Sequence, residues 1–358
     1  LAEQNWFYVG GHYVERDGKS FMSGQMYVER FIPETVTQPH PIVMIHGGGQ
    51  TGTNFTATPD GRRGWLHDFL RAGYTVYVVD QPERGRSGHL AADDGAYNLT
   101  HYDTKRTEQR FTAPEKHKLW PQAESHTQWP GEGVKGDAIF DHFFASQVDA
   151  LGDRGDTETL NQRAGVALLE EIGPAILLVH SQSGPFGWLI ADAAPGLVKA
   201  ILSIEPNGPP FHEITLKGGA DLSHTDWYEY DPELARPWGI SRIPLTYDPP
   251  VTDPADLGPV ADTTPSEGNA FVRGYLQSEP AHTLPNLQNI PILILISEAS
   301  YHATYDHCTS RYLKQAGVEH DFIRLPDEGI HGNGHMIMVE KNNHEVADFL
   351  IAWLNKKP

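Results

Sequence analysis

The sequence predicts an α/β fold in which a mostly parallel central sheet carries helices on both faces. Three observations point there. Short runs of Val, Ile and Leu of about strand length recur along the chain. Amphipathic helical stretches separate them, and Gly- or Ser-containing turns follow several of the runs directly. Continuous apolar strands mark a sheet buried on both sides, and helices between parallel strands supply the cover.

Taken in order, "WFYVGGHYV" and "QMYVERFIP" alternate apolar and polar residues, as half-exposed antiparallel strands at one sheet edge do. "PIVMIHGGG" is a near-continuous apolar strand that ends in glycines, and "RGWLHDFLRAG" is an amphipathic helix closed by Gly73. "YTVYVVDQP" is a second buried strand, and "TETLNQRAGVALLEEIG" reads as a helix with Thr157 as its cap. Next come the strand "PAILLVHSQ", the helix "SGPFGWLIADAA" and the strand "VKAILSIEP". The strand "IPILILIS", the helix "ATYDHCTSRYLKQAG", the strand "EHDFIRL" and the helix "EKNNHEVADFLIAWLNKK" complete the chain.

Two stretches break the alternation. Residues 89–150 are polar, aromatic and partly helical, and residues 207–288 are rich in Pro, Asp, Trp and Tyr. Long loops inside a compact domain are usually lids or binding walls. The expected organisation is therefore one domain over residues 1–358, with 89–150 and 207–288 as insertions forming a cap over the strand ends.

Composition narrows the function. A formal charge of −20, from 27 basic and 47 acidic residues, repels phosphate backbones and anionic membranes, so nucleic-acid partners are not expected. No apolar run approaches the ~20 residues of a membrane span. A single cysteine, Cys308, excludes an intrachain disulfide and a Cys-based zinc site, and it reads as a half-buried helix residue. The chain starts at Leu1 and not at Met, which sets the expectation that a leading segment was removed, either a signal peptide or residues added for expression. With two N-glycosylation patterns, Asn54-Phe-Thr56 and Asn98-Leu-Thr100, this leans toward secretion over the cytoplasm without fixing the compartment. Self-association into a homo-oligomer is compatible with the sequence.

In sheets of this kind, ligands bind beyond the carboxyl ends of the strands. Ser181 follows the run Ile176–Val179 and precedes a helix, the setting of a nucleophile elbow. Ser183 lies two residues on and reads as a packing or capping residue. The elbow requires compact residues two before and two after its serine, and here these are Val179 and Ser183. A serine hydroxyl needs a base. Among 19 histidines, His331 and His335 follow the last strand, and His335 ends the Gly-rich turn "HGNGH", from which its ring can reach over the sheet. His331 is expected to line the site. Their i, i+4 spacing suggests a metal pair, but Gly332 and Gly334 disfavour a helix there, and neither metal nor cofactor is expected. The orienting acid is either Glu205, after "AILSI", or Glu298, after "ILILIS", and the residues alone leave both open. Backbone N–H groups of Gly48, Gly49 and Gln182 are placed to hold an oxyanion. "DQPERGRSG" lacks the Gly-Lys-Ser/Thr of a phosphate loop and reads as a structural turn.

Together, His46–Gly49, the D-x-x-x-x-G-x-S-G stretch Asp80–Gly88, the elbow and the late histidine resemble the α/β-hydrolase superfamily over about residues 41–355. His180–Gly184, Ile204-Glu205-Pro206, His331–Met336, Asn342-Asn343 and Trp353 are similar, more narrowly, to a divergent esterase branch with an H-S-Q-S-G elbow and glutamate as triad acid. That resemblance implies Ser181, His335 and Glu205 as the triad. Members of the branch carry two cysteines in the oxyanion loop, where this chain has Gly48 and Gly49.

The expected activity is thus hydrolysis of a small-molecule carboxylic ester or lactone. Trp227, Tyr228, Tyr230 and Trp238 of the second insertion are candidate pocket walls for a fairly large apolar group. The same fold also carries isomerases, cyclases, carbon–carbon bond hydrolases and small-molecule receptors. An interfacial lipase would need an exposed apolar cap, which the Asp- and Pro-rich stretch 220–265 does not favour.

Overall fold

A computed structural model describes residues 1–89, 99–219, 222–265 and 267–357. Its centre is an eight-stranded sheet of β1 (Glu3–Val9), β2 (Met26–Ile32), β3 (Ile42–Ile45), β4 (Val76–Asp80), β5 (Ala175–His180), β6 (Val198–Ile204), β7 (Ile292–Ile296) and β8 (Asp321–Arg324). The spatial order is β1-β2-β4-β3-β5-β6-β7-β8. β2 pairs antiparallel with both β1 and β4, and every other pairing is parallel. The apolar runs that predicted buried strands are buried throughout: every residue of β3, β4, β5 and β7 is buried. The alternating front strand is split by Gly10-Gly11, after which His12–Arg16 and Lys19–Ser23 form a separate hairpin.

Two apolar layers sandwich the sheet. On one side α1 (Trp65–Arg71) and α5 (Asn343–Leu354) pack together, with Trp65, Phe69, Val346 and Leu350 buried. On the other, α2 (Arg154–Ile172) packs on α3 (Gly184–Ala193), burying Ala164, Leu168, Leu189 and Ile190. A further helix, α4 (Asp306–Gln315), buries Tyr312 and Leu313 in that second layer. Cys308 on α4 is fully buried and not half-buried, and burial pushes its thiol pKa up, so it is an inert core residue. The start of α2 lies before the expected one. Asp153 caps it by accepting from Gly155 and Asp156 N–H, while Thr157 is inside the first turns.

Neither insertion stands apart. Phe111, Trp120, Trp129 and Phe143 of the first join the layer with α1, and Ile214 and Trp227 of the second join it too. Ile240, Leu245, Tyr247, Leu257 and Leu284 pack instead in the layer with α2 and α3, so that part of 207–288 braces the back of the sheet. Asn54 is only 4 % exposed, which removes the first glycosylation pattern as an accessible acceptor. Asn98 of the second lies outside the described residues. No helix of the described residues is long and apolar enough to cross a membrane.

One buried ionic cluster ties the first insertion to the C-terminal loop. His126 is 4 % exposed, with its ring nitrogens 2.9 Å from Glu115 and 2.8 Å from Glu340. Glu340 also accepts from Asn333 Nδ2 and from Gly334 N–H at 2.9 Å. Burial opposes a charge on His126, but the two carboxylates outweigh it and hold the imidazole pKa up at about 9 against an ordinary 6.5. A raised folded-state pKa contributes stability below pH 6.5 that is lost as pH rises through 9, here on the order of 3 kcal/mol. Thermal unfolding followed from pH 6 to 10 should show the unaltered protein losing this margin over His126→Gln. An unchanged gap between the two proteins across that range would refute it.

Candidate active site

The carboxyl ends of β5 and β6 carry two unusual backbones. Ser181 (φ +55°) and Glu205 (φ +46°) both lie in the left-handed region, where a side chain costs about 1–3 kcal/mol. Such strain at the ends of adjacent strands persists only where packing fixes it. Ser183 does part of this: its hydroxyl accepts from His180 N–H at 2.7 Å and lies 2.7 Å from the Ile45 carbonyl it donates to. Ser183 is therefore fully buried and committed to the turn.

Two glycines admit the crowding. A Cβ on Gly184 would come within 2.5 Å of Pro206, so its absence lets Glu205-Pro206 cross beside the elbow. A Cβ on Gly187 would lie 3.2 Å from a Val179 methyl. Val179, bulky for its place two residues before Ser181, is thus accommodated from the following helix.

The histidine loop brings His335 to the same strand ends. Its Nδ1 lies 2.5 Å from Glu205 Oε2, and both side chains are buried. Glu205 is held from the end of β7: Ser297 donates its N–H at 2.9 Å and its hydroxyl to Oε1, and Ser300 donates to Oε2 at 2.7 Å. The His335 ring is enclosed, with Phe111 on one side at 5.4 Å and His302 stacked at 4.6 Å. The carbonyl of His335 accepts from His180 Nε2 at 3.0 Å. Burial keeps His180 and His302 neutral, with pKa values well below the ordinary range. The Tyr301 hydroxyl lies 3.4 Å from His335 Nε2, and no hydrogen bond joins Ser181 to His335 in this state of the described residues.

Glu298, the other acid left open by the sequence, faces elsewhere. It accepts from Gly332 N–H at 2.7 Å and lies 3.3 Å from His331 Nδ1. His331 is 61 % exposed and does not line the cavity at Ser181, so its expected place in the pocket is corrected. His331 and His335 thus address different acids.

The glycine loop runs directly past the serine. A Cβ on Gly47 would meet Ser181 Cβ at 3.1 Å, and one on Gly48 would meet the Tyr102 hydroxyl at 2.6 Å. His46, fully buried and held neutral by burial with a pKa of about 3, donates from Nδ1 to the Gly47 carbonyl and accepts from Gln81 N–H at Nε2. Arg84 donates to that same carbonyl and to the Gln182 side chain, each at 3.1 Å. It is 3 % exposed, and burial lowers its pKa only to about 10, so a cation sits beneath the loop. The Asp80–Gly88 turn otherwise serves structure, since Asp80 accepts from Gly52 N–H and ion-pairs with Arg86.

A cavity of about 360 Å³ opens at Ser181, lined by Gly48, Gly49, Tyr102, Arg106, Arg110, Ser181, Gln182, Asn207 and Tyr301 among others. Its walls are mainly polar, with Ala150, Leu151 and Ile214 as the aliphatic members. Trp227 and Tyr228 are absent from it, which corrects their assignment as pocket walls. Trp227 is fully buried with its indole N–H on the Asn269 carbonyl, and Tyr228 accepts from Arg273 N–H. Tyr230 packs on Tyr228 and Tyr275, and Trp238 lies in the layer behind the sheet. They failed as pocket residues because the insertions bury them to make their own joins with the core. Sequence reasoning missed Ser297, Ser300, Tyr301, Arg84, Arg106 and Arg110. Only the hydroxyls flanking Glu298 in "SEAS", directly after a strand, offered a readable signal.

Comparison with known proteins agrees with this architecture. Residues 42–349 match the model of the alpha/beta hydrolase family. A protein named as a probable secreted lipase, from a fungal species (strain ATCC 74256), is 46% identical over 354 residues, covering 99% of this chain and 90% of its own. A solved structure described as a novel bacterial esterase aligns with a TM-score of 0.64 at 22% identity, over 100% of this chain and 96% of its own, a likeness of fold.

Proposed function

The chain belongs to the alpha/beta hydrolase family, and on that premise we propose that it is a serine esterase cleaving a carboxylic ester or lactone through an acyl-enzyme. The observation that carries the reading is the contact of 2.5 Å between Glu205 and His335 beside a cavity lined by Ser181. Ser181 Oγ attacks the carbonyl carbon while His335 Nε2 takes its proton. Glu205, accepting from Nδ1–H, fixes the tautomer and stabilises the imidazolium. The N–H groups of Gln182 and of Gly48 or Gly49 receive the oxyanion, each such donor being worth about 10²–10³ in rate. His335 then protonates the leaving alcohol, and a water deprotonated by His335 releases the acid.

Ser181 reaches His335 once substrate displaces the Tyr301 hydroxyl from the Nε2 side, since catalytic hydrogen bonds commonly tighten only in the substrate complex. The strained backbones of Ser181 and Glu205 support the reading, because strain of this kind clusters at functional sites.

The polar walls favour short, polar substrates over the long acyl chains of an interfacial lipase. Of the large exposed apolar side chains among the described residues, Trp6, Tyr8, Tyr13, Phe21 and Met22 belong to the front strands, away from the cavity mouth. A panel of p-nitrophenyl esters from acetate to palmitate, with lactones and amides beside it, tests this. The expected result is that kcat/KM peaks at or below six acyl carbons. A maximum at palmitate, rising at the micellar limit, would instead make it an interfacial lipase. We also propose export, as the name of the fungal relative says of that protein. Recovery from culture medium checks it.

A further inference from the structure

The cavity at Ser181 is basic in a molecule that is otherwise strongly acidic. The chain carries a formal charge of −20, yet Arg106, Arg110 and Arg154 line this cavity against a single acid, Glu213. Glu213 is already engaged by Arg236 at 3.1 Å and Arg154 at 3.6 Å. Arg106 and Arg110 differ from Arg154. Neither forms an ion pair with an acid among the described residues. Arg106 lies over the Tyr102 ring at 4.5 Å and Arg110 over the Tyr301 ring at 5.1 Å. The helical stretch over 104–112 puts the two at i, i+4 on one face. The Nε of Arg106 is buried and has no hydrogen-bond partner among the described residues.

A chain with 47 acidic residues could easily have paired these two guanidiniums, and an unmet buried N–H costs about 1–3 kcal/mol. Arginine placed over an aromatic ring keeps a planar edge of N–H donors, which suits a carboxylate bidentately. Tyr301 connects both features, because its ring lies under Arg110 while its hydroxyl faces His335.

We propose that the cavity takes an ester bearing a second, free carboxylate, with Arg106 and Arg110 receiving that carboxylate while the scissile carbonyl lies at Ser181. The proposal rests on Ser181 as nucleophile and adds the substrate class. Hydrolysis of such a half-ester, for example of a dicarboxylic acid, consumes water and releases a dicarboxylate, an alcohol and one proton, which leaves to solvent.

The test compares p-nitrophenyl hydrogen glutarate with p-nitrophenyl methyl glutarate, which differ in the charge and one methyl group. The unaltered protein should favour the half-ester in kcat/KM by roughly tenfold or more, the scale of one charge-assisted contact. In the Arg106→Gln/Arg110→Gln double variant this ratio should fall toward one. Arg106→Lys/Arg110→Lys, which keeps the charge, should retain part of it and guards against a merely misfolded variant. Equal rates on the two esters in the unaltered protein, or a ratio unmoved by the double variant, would overturn the proposal. If neither ester is hydrolysed, the esterase reading fails, and calorimetry with monomethyl glutarate then decides the carboxylate site alone. Binding lost in the double variant supports the site, and no binding to the unaltered protein overturns it.

Discussion

Ser181→Ala should hydrolyse p-nitrophenyl butyrate at least ~10⁴-fold more slowly than the unaltered protein, because removing the nucleophile of such a triad leaves only what binding and the oxyanion donors supply. The loss should not come from unfolding. The Ser181 hydroxyl makes no hydrogen bond among the described residues, so its removal takes no side-chain hydrogen bond from the fold. The backbone sharpens the comparison. At φ +55°, glycine is the one residue without a steric penalty, so Ser181→Gly should be equally inactive yet more stable by about 1 kcal/mol. Rates with thermal melts for both variants separate the two effects. A Ser181→Gly protein that is active, or one less stable than the unaltered protein, would show that the strain is not tied to this hydroxyl.

The second large effect concerns the acids. Glu205→Gln should lower kcat by about 10²–10⁴, because an amide facing His335 Nδ1 no longer compels the tautomer in which Nε2 can accept a proton. Glu298→Gln should stay within about threefold, since Glu298 serves a loop N–H and a largely exposed histidine. Glu205 also satisfies Ser297 and Ser300, so its variant is expected to melt lower. Rates are therefore compared well below both melting points. The reverse ranking would return the acid to the end of β7.

These residues also show what the sequence can express. The buried strands were legible because burial on both faces forces continuous apolar runs, and β3, β4, β5 and β7 fall on those runs. The places of Ser181 and Glu205 were legible because residues at strand ends share one edge of a parallel sheet, and that of His335 because its loop follows the last strand of that sheet. What joins distant segments was not. Ser297 and Ser300 grip Glu205 across about ninety residues of chain, and Arg84 reaches Gln182 from another loop. Such contacts leave no periodicity. The aromatic residues of the second insertion misled for a related reason. Composition marks Trp227 and Tyr228 as large apolar groups, but only packing decides whether they face a cavity or a core. Likewise Asn54 matches a glycosylation pattern in a segment that folding buries.

The proposed chemistry turns on one atom, Ser181 Oγ. Labelling with a fluorophosphonate, followed by peptide mass mapping, tests it most directly. The expected result is a single stoichiometric adduct on Ser181, loss of ester hydrolysis in proportion to labelling, and no adduct in Ser181→Ala. An adduct on Ser183 or elsewhere, or full hydrolytic activity in a protein that takes up no label, would contradict it.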